Sequence, residues 1–147
     1  MTKDASTRIT ADIPTAPLRI FLVEDSSLVR ELVTETFAEI DGVVLGGFAD
    51  SEDGAFHQLV AAPCHILILD IELKQGNGIN LLRRLSALPD SPAKVKIVFS
   101  NNVSAAYRRV AEPLGVEYFF DKTTEFNQLR ALLESLGGGV DSGDLTN

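Results

Sequence analysis

The sequence predicts an α/β protein with a parallel sheet. Three observations point there: five short apolar runs, five intervening stretches of helical periodicity, and strict alternation between them. The runs are nearly continuous in Val, Ile, Leu and Phe, as strands covered on both faces require. Right-handed crossovers leave few topologies for such repeats. The expected one is a flavodoxin-like, doubly wound, five-stranded parallel sheet in strand order 2-1-3-4-5 with five helices.

Residues 1–17 read as a flexible lead, polar and broken by Pro14 and Pro17. The first strand is expected over 18–24. A helix follows from Ser26 to Ile40, with Leu28, Val29, Leu32, Val33, Phe37 and Ile40 as one apolar stripe, and Asp41-Gly42 ends it. Val43 to Phe48 is the second strand. Asp50 or Ser51 can cap a helix over 51–62 that turns Phe56, Leu59 and Val60 inward, with Pro63 as its stop. The third strand is 65–70, followed by a loop through Gly76-Asn77-Gly78 and a helix to Leu88 carrying Ile79, Leu82 and Leu85 at core spacing. Pro89 to Pro92 forms a turn. The fourth strand covers 94–99, the fourth helix 103–113, and the fifth strand 116–120. The last helix runs from Thr124 to Leu136 on Phe126, Leu129, Leu132, Leu133 and Leu136, and Gly137-Gly138-Gly139 is expected to end it. The folded domain is therefore 18–136, with a flexible tail over 137–147.

A chain of 147 residues favours one domain. With 13 basic and 21 acidic residues the formal charge is −8, which opposes binding to nucleic acid or anionic membranes. Arg83-Arg84 and Arg108-Arg109 are the paired cations, and both fall in helical patterns where solvated faces are expected. No run is long enough to insert in a membrane, and the start of the chain has no apolar signal core. The single Cys64 rules out an intramolecular disulfide and argues for a reducing, cytoplasmic setting.

Chemistry concentrates at the strand ends. Glu24-Asp25 follow the first strand and Asp70 ends the third. In an open α/β sheet the carboxyl ends of the strands form the binding crevice, and order 2-1-3-4-5 makes these two strands neighbours. Two like charges about 4 Å apart cost roughly 4 kcal/mol at an effective dielectric of 20. A hard divalent cation relieves that repulsion, so Glu24, Asp25 and Asp70 form a candidate Mg²⁺ site with room for phosphoryl oxygens. The plainer alternative is helix capping, which Asp25 alone would fit. Ser100 and Lys122 follow the fourth and fifth strands and face the same edge, a hydroxyl and an ammonium suited to phosphoryl oxygens.

This combination resembles the response regulator receiver domain of two-component signalling. The likeness rests on Ile20 to Asp25, Ile68-Leu69-Asp70 with Gly78 eight residues on, Val98-Phe99-Ser100, and Phe119-Phe120-Asp121-Lys122. The resemblance implies that Asp70 accepts a phosphoryl group from a histidine kinase or a histidine phosphotransfer protein. It implies that Glu24, Asp25, Asp70 and the backbone carbonyl of Glu72 hold Mg²⁺. Ser100, Lys122 and the aromatic Phe119 would bind the phosphoryl group and switch. A downstream protein target would dock near the fourth helix, fifth strand and fifth helix, where Tyr107, Arg108, Arg109 and Tyr118 are candidates. With about eleven residues after the last helix, a stand-alone regulator is expected.

Several positions depart from the family pattern. Asn101 stands where a small residue is usual, Phe119 lacks a tyrosine hydroxyl, and Lys74 and Thr123 each replace a customary proline. Glu72 and Asn102 flank the entry and are candidates for setting the phosphoryl lifetime. Two other classes fit the sequence less well. A Mg²⁺-dependent phosphohydrolase with Asp70 as nucleophile wants its nucleophile on the first strand and an Asp as general acid where Glu72 stands. An FMN carrier would meet repulsion from Glu24-Asp25. His57 and His65 lack metal-ligand spacing.

Overall fold

The computed structural model describes residues 16–145. Five strands form one parallel sheet: β1 (Leu18–Val23), β2 (Val43–Ala49), β3 (Cys64–Leu69), β4 (Ala93–Ser100) and β5 (Val116–Asp121). Their order is β2-β1-β3-β4-β5, the expected 2-1-3-4-5. The helices are α1 (Ser27–Phe37), α2 (Glu52–Ala61), α3 (Gly78–Ser86), α4 (Ala105–Ala111) and α5 (Phe126–Leu145), with a 3₁₀ turn at Glu112–Leu114. Most of the expected flexible lead lies outside the described residues.

Strand alternation divides the core in two. Phe21, Val23, Leu67, Leu69, Val98 and Phe119 pack on one side with Leu59 of α2, Leu82 of α3 and Ala111 of α4. Ile20, Leu22, Ile66, Ile68, Ile97 and Phe99 pack on the other with Val33 and Phe37 of α1 and Leu129 and Leu133 of α5. Both faces are covered, which is why the strands read as unbroken apolar runs. Gly46 is the odd residue at a register shift between β1 and β2, where Ile20 pairs with Leu45 but Phe21 with Gly47. Among the described residues no helix is long and apolar enough to cross a membrane.

The structure corrects three sequence expectations. Leu28 and Leu32 are 73% and 50% exposed, so the α1 stripe is narrower than its periodicity suggests, and only its Val33, Phe37 and Ile40 side is fully buried. Val60 is likewise 50% exposed, outside the core that Leu59 fills. The glycines at 137–139 do not end α5, which continues to Leu145. Gly137 instead meets the α1–β2 turn: a Cβ there would lie 2.5 Å from the Asp41 carbonyl oxygen, and one on Gly42 (φ +87°) 2.5 Å from that of Gly137. Glycine serves backbone-to-backbone packing at this point, and the tail expected to be free is helical as far as Leu145, the last described residue.

Candidate functional site

The site is built on the sheet ladder. Val23 pairs with Leu69. The next residues keep the pattern, with Glu24 N–H donating to the Ala49 carbonyl and Asp70 N–H to the Val23 carbonyl, each at 3.0 Å. Glu24 and Asp70 therefore emerge side by side, and both are buried. Glu24, Asp25 and Asp70 each present one carboxylate oxygen within 4.8 Å of the others. On the far side, Lys122 N–H donates to the Ser100 carbonyl at 3.1 Å, extending the β4–β5 ladder. Its Nζ reaches across to Glu24 Oε1 at 2.8 Å and Asp70 Oδ2 at 2.7 Å.

The other carboxylate oxygens are engaged by backbone. Glu24 Oε2 accepts from Ser26 N–H at 3.0 Å, Asp70 Oδ1 from Glu72 N–H at 3.1 Å, and Asp25 Oδ2 from Lys74 N–H at 2.6 Å. The last bond exists because residue 74 is not proline, which has no N–H. Capping of α1 falls to Ser26, whose Oγ accepts from Val29 N–H, so the capping alternative for Asp25 does not describe this site. Gly78 is required by closeness: its N–H donates to the Ile71 carbonyl at 2.8 Å, and a Cβ would lie 2.3 Å from the Asp70 carbonyl oxygen.

Burial pushes the Glu24 carboxyl above its usual range, partly offset by hydrogen bonds from Lys122 and Ser26. Burial works against the charge on Lys122, yet hydrogen bonds and charge from Asp70 and Glu24 together outweigh it and raise the ammonium above its ordinary value. Three carboxylates against one ammonium leave two negative charges uncompensated in a partly dry crevice. The donors are hard oxygens converging on one point, and that set fits a divalent cation such as Mg²⁺.

Ser100 is fully buried at the same edge, and its Oγ accepts from Asn102 N–H at 3.2 Å. Asn102 Nδ2 in turn donates to Glu72 Oε2 at 3.3 Å, so the two residues flagged at the entry meet across it. Phe119 packs inward with its ring under the Arg108 guanidinium, 4.7 Å from the centroid. Arg108 Nε also donates to the Val103 carbonyl at 3.2 Å. Arg108 is therefore anchored rather than freely solvated, and so is Arg84, which pairs with Glu52 and Asp53. The four expected docking residues are spread along α4 and β5. Tyr107 lines a groove between α3 and α4 with Asn80, Arg83 and Val110. Arg108 covers Phe119 on the same side of the sheet, and Arg109 is exposed. Tyr118 stacks on Phe120, which packs on the α5 side.

With Thr123 in place of proline, the Lys122–Thr123 bond is trans, and hydrogen bonds shape the loop. Asp121 Oδ1 accepts from Thr123 N–H at 2.8 Å and from its hydroxyl at 2.5 Å, while Glu125 Oε1 accepts from Asp121 N–H at 2.8 Å. These Thr123 bonds hold the Asp121 carboxyl below its usual range. Sequence reasoning missed Asp121 and Glu125, although an Asp two residues before a Thr is a legible turn signal.

Comparison with known proteins agrees with this geometry. The model of the response regulator receiver domain matches residues 20–134. A protein-glutamate methylesterase/protein-glutamine glutaminase of Desulfotalea psychrophila is 31% identical over 108 residues, which is 74% of this chain and 30% of that protein. The transcriptional regulatory protein MalR of Bacillus subtilis is 36% identical over 70 residues, 48% of this chain and 30% of its own length. The chain thus spans about a third of the length of these curated relatives. Among solved structures, the response regulator domain of Thermotoga maritima CheB superposes with a TM-score of 0.69 at 22% identity, covering 80% of this chain and 90% of that one. The Mn²⁺-bound form of response regulator Rcp1 gives 0.65 at 23%, covering 89% and 96%. These likenesses show the fold. Asp70 also follows the third strand, not the first as the phosphohydrolase alternative wants. Because the family match takes in every strand and every residue of the acidic crevice, the chain belongs to the response regulator receiver domains.

Proposed function

We propose that Asp70 accepts a phosphoryl group from a histidine kinase or a histidine phosphotransfer protein and thereby resets a protein-docking surface. Family membership implies phosphodonor and downstream partners in general terms. The observation that carries the reading is the Lys122 ammonium 2.7 Å from Asp70 Oδ2, inside a cluster of three carboxylates.

An Asp70 carboxylate oxygen attacks phosphorus while the bond from phosphorus to the donor's imidazole nitrogen breaks, its electron pair staying on nitrogen. A carboxylate needs no base to attack. Such a transfer depends on positioning and charge neutralisation more than on covalent assistance. Glu24, Asp25, Asp70 and the Glu72 carbonyl would hold Mg²⁺, which supplies positive charge beside the phosphoryl oxygens. Lys122 contributes a second positive charge from the β5 side. Ser100 turns to donate its hydroxyl to a phosphoryl oxygen, and Phe119 repacks in response. Asn101 beside it narrows access for donors. The Glu72–Asn102 bond spans the entry and limits attack by water, so Glu72→Ala alters the decay rate of the acyl phosphate; an unchanged rate rejects that role.

The chain acts as a signalling phosphoacceptor in the cytoplasm, assisting only its own phosphorylation and dephosphorylation. The formal charge of −8 argues against nucleic acid as its direct partner. The enzyme activity named for the Desulfotalea relative is not carried over, since the match takes in 30% of that protein. Output passes through protein contacts around α4, β5 and α5, with Tyr107, Arg108, Arg109 and Tyr118 as candidates, or through onward phosphotransfer. The test is incubation with acetyl phosphate and Mg²⁺, followed by intact mass. Wild type gains one phosphoryl group and Asp70→Asn gains none; equal gain in both overturns the assignment.

A further inference from the structure

Glu52 opens α2 and takes no part in the crevice, yet it is bound to the loop that forms the crevice rim. Ser51 caps this helix, so the first-turn carboxylate is free for other work. Glu52 Oε1 accepts from Asn77 N–H at 3.1 Å. Its Oε2 pairs with Arg84 Nη1 at 3.1 Å, and its own N–H donates to the Gln75 carbonyl at 3.1 Å. The Glu52 side chain is 15% exposed, and Arg84 Cζ lies over the Phe56 ring, 4.1 Å from the centroid. Gly76, at φ +84°, lets the loop close on Glu52: a Cβ there would stand 2.4 Å from Glu52 Cβ. Asn77 then pairs with Glu72 in an isolated antiparallel bridge and caps α3 through Oδ1 to Asn80 N–H at 2.8 Å. Glu72 N–H, in turn, donates to Asp70 Oδ1.

A continuous set of contacts therefore runs from Glu52 through Asn77 and Glu72 to Asp70. We infer that Glu52 is a positioning residue: with Arg84 it straps the loop from Glu72 to Asn77 to α2 and fixes where the Glu72 backbone stands at the crevice. The inference rests on reading that loop as the rim of the phosphoryl site. The strap itself is defined by contacts that do not depend on that reading. Groups that orient a metal site from outside typically change metal affinity by about 10- to 100-fold when removed. The carboxylate pair on Asn77 N–H and Arg84 is the part a neutral amide can half replace: Glu52→Gln keeps an acceptor for Asn77 and loses the ion pair.

Two readouts test this. Amide hydrogen exchange across residues 72–77 rises roughly fivefold in Glu52→Ala, the equivalent of one lost hydrogen bond, and less in Glu52→Gln. Asp53→Ala, at an exposed carboxylate on the outer side of Arg84, leaves that exchange unchanged. Mn²⁺ affinity of the unphosphorylated protein, followed by the paramagnetic signal of free Mn²⁺, falls about tenfold in Glu52→Ala, with partial recovery in Glu52→Gln. At saturating Mn²⁺ the phosphorylation rate with acetyl phosphate returns to near the wild-type value. Unchanged loop exchange in Glu52→Ala overturns the strap whatever the site binds. Faster loop exchange with unchanged Mn²⁺ affinity overturns the positioning role. If wild type gains no phosphoryl group at all, the functional reading fails while the exchange result still decides the strap.

Discussion

The loop after β3 is tied to the end of β1 and to α2, whereas the loop after β4 is tied mainly to itself. On the first rim, Lys74 N–H holds Asp25, Glu52 holds Asn77, and Gly78 lies against the Asp70 carbonyl. On the second, the Ser100 hydroxyl accepts from Asn102 two residues on, and Arg108 of a seven-residue helix accepts the task of holding the Val103 carbonyl. The Asn102–Glu72 bond joins the rims, and it is an exposed contact between two side chains. Low local tethering marks the elements that move first. The comparison teaches a contrast in tethering: the β3 rim is bound to two neighbouring elements, and under the proposed function the β4 rim is the side that rearranges around added charge.

Breaking the fixed side produces the largest effects. Lys122→Met leaves Glu24 and Asp70 buried without their ammonium and costs about 3 kcal/mol in urea unfolding without divalent cations. Added Mg²⁺ then stabilises this variant more than it stabilises wild type. Gly78→Ala drives a methyl into the Asp70 carbonyl and costs about 2 kcal/mol, with slower phosphoryl gain from acetyl phosphate. On the mobile side Arg108→Ala removes the cation over Phe119 and costs about 1 kcal/mol or less by thermal unfolding, while phosphoryl gain is kept. If Arg108→Ala proves as damaging as Gly78→Ala, the contrast between the rims fails. The smallest effect belongs to the β5–α5 loop. The native Asp121 carboxyl titrates below its unfolded value of 3.8, so its stabilisation is present above that value and is lost as pH falls through the native one. Asp121→Asn flattens that part of the acid-unfolding curve.

The two-sided core and the strand-end positions of Asp25, Asp70 and Lys122 were legible from period and punctuation, and strand order became legible once the right-handed crossover rule was added. Leu28 and Val60 misled because helical spacing names a stripe but not its width, and both lie at the margin that the sheet does not reach. Gly137 misled for a different reason: a glycine that ends a helix and one that lets another backbone approach look the same in one dimension. The contacts of Glu52, Lys74 and Glu125 were hidden because a carboxylate's partner 25 residues away, or a backbone N–H, leaves no mark on residue type. The customary proline at residue 74 drew attention to what was lost there, while the gain was a donor for Asp25.

The meeting of Gly137 with Gly42 has a mechanical consequence. Both positions lack a methyl, and each main chain fills the space the other leaves. Sliding α5 by one residue, about 1.5 Å, toward its C-terminal end would carry Leu136 to the level of that notch, whereas a slide the other way brings Gly138 there. The final helix is thus indexed against the opposite end of the sheet from Lys122. Strain entering at its Phe126 end meets this contact as a one-way stop, set against the shift that carries Leu136 toward Gly42.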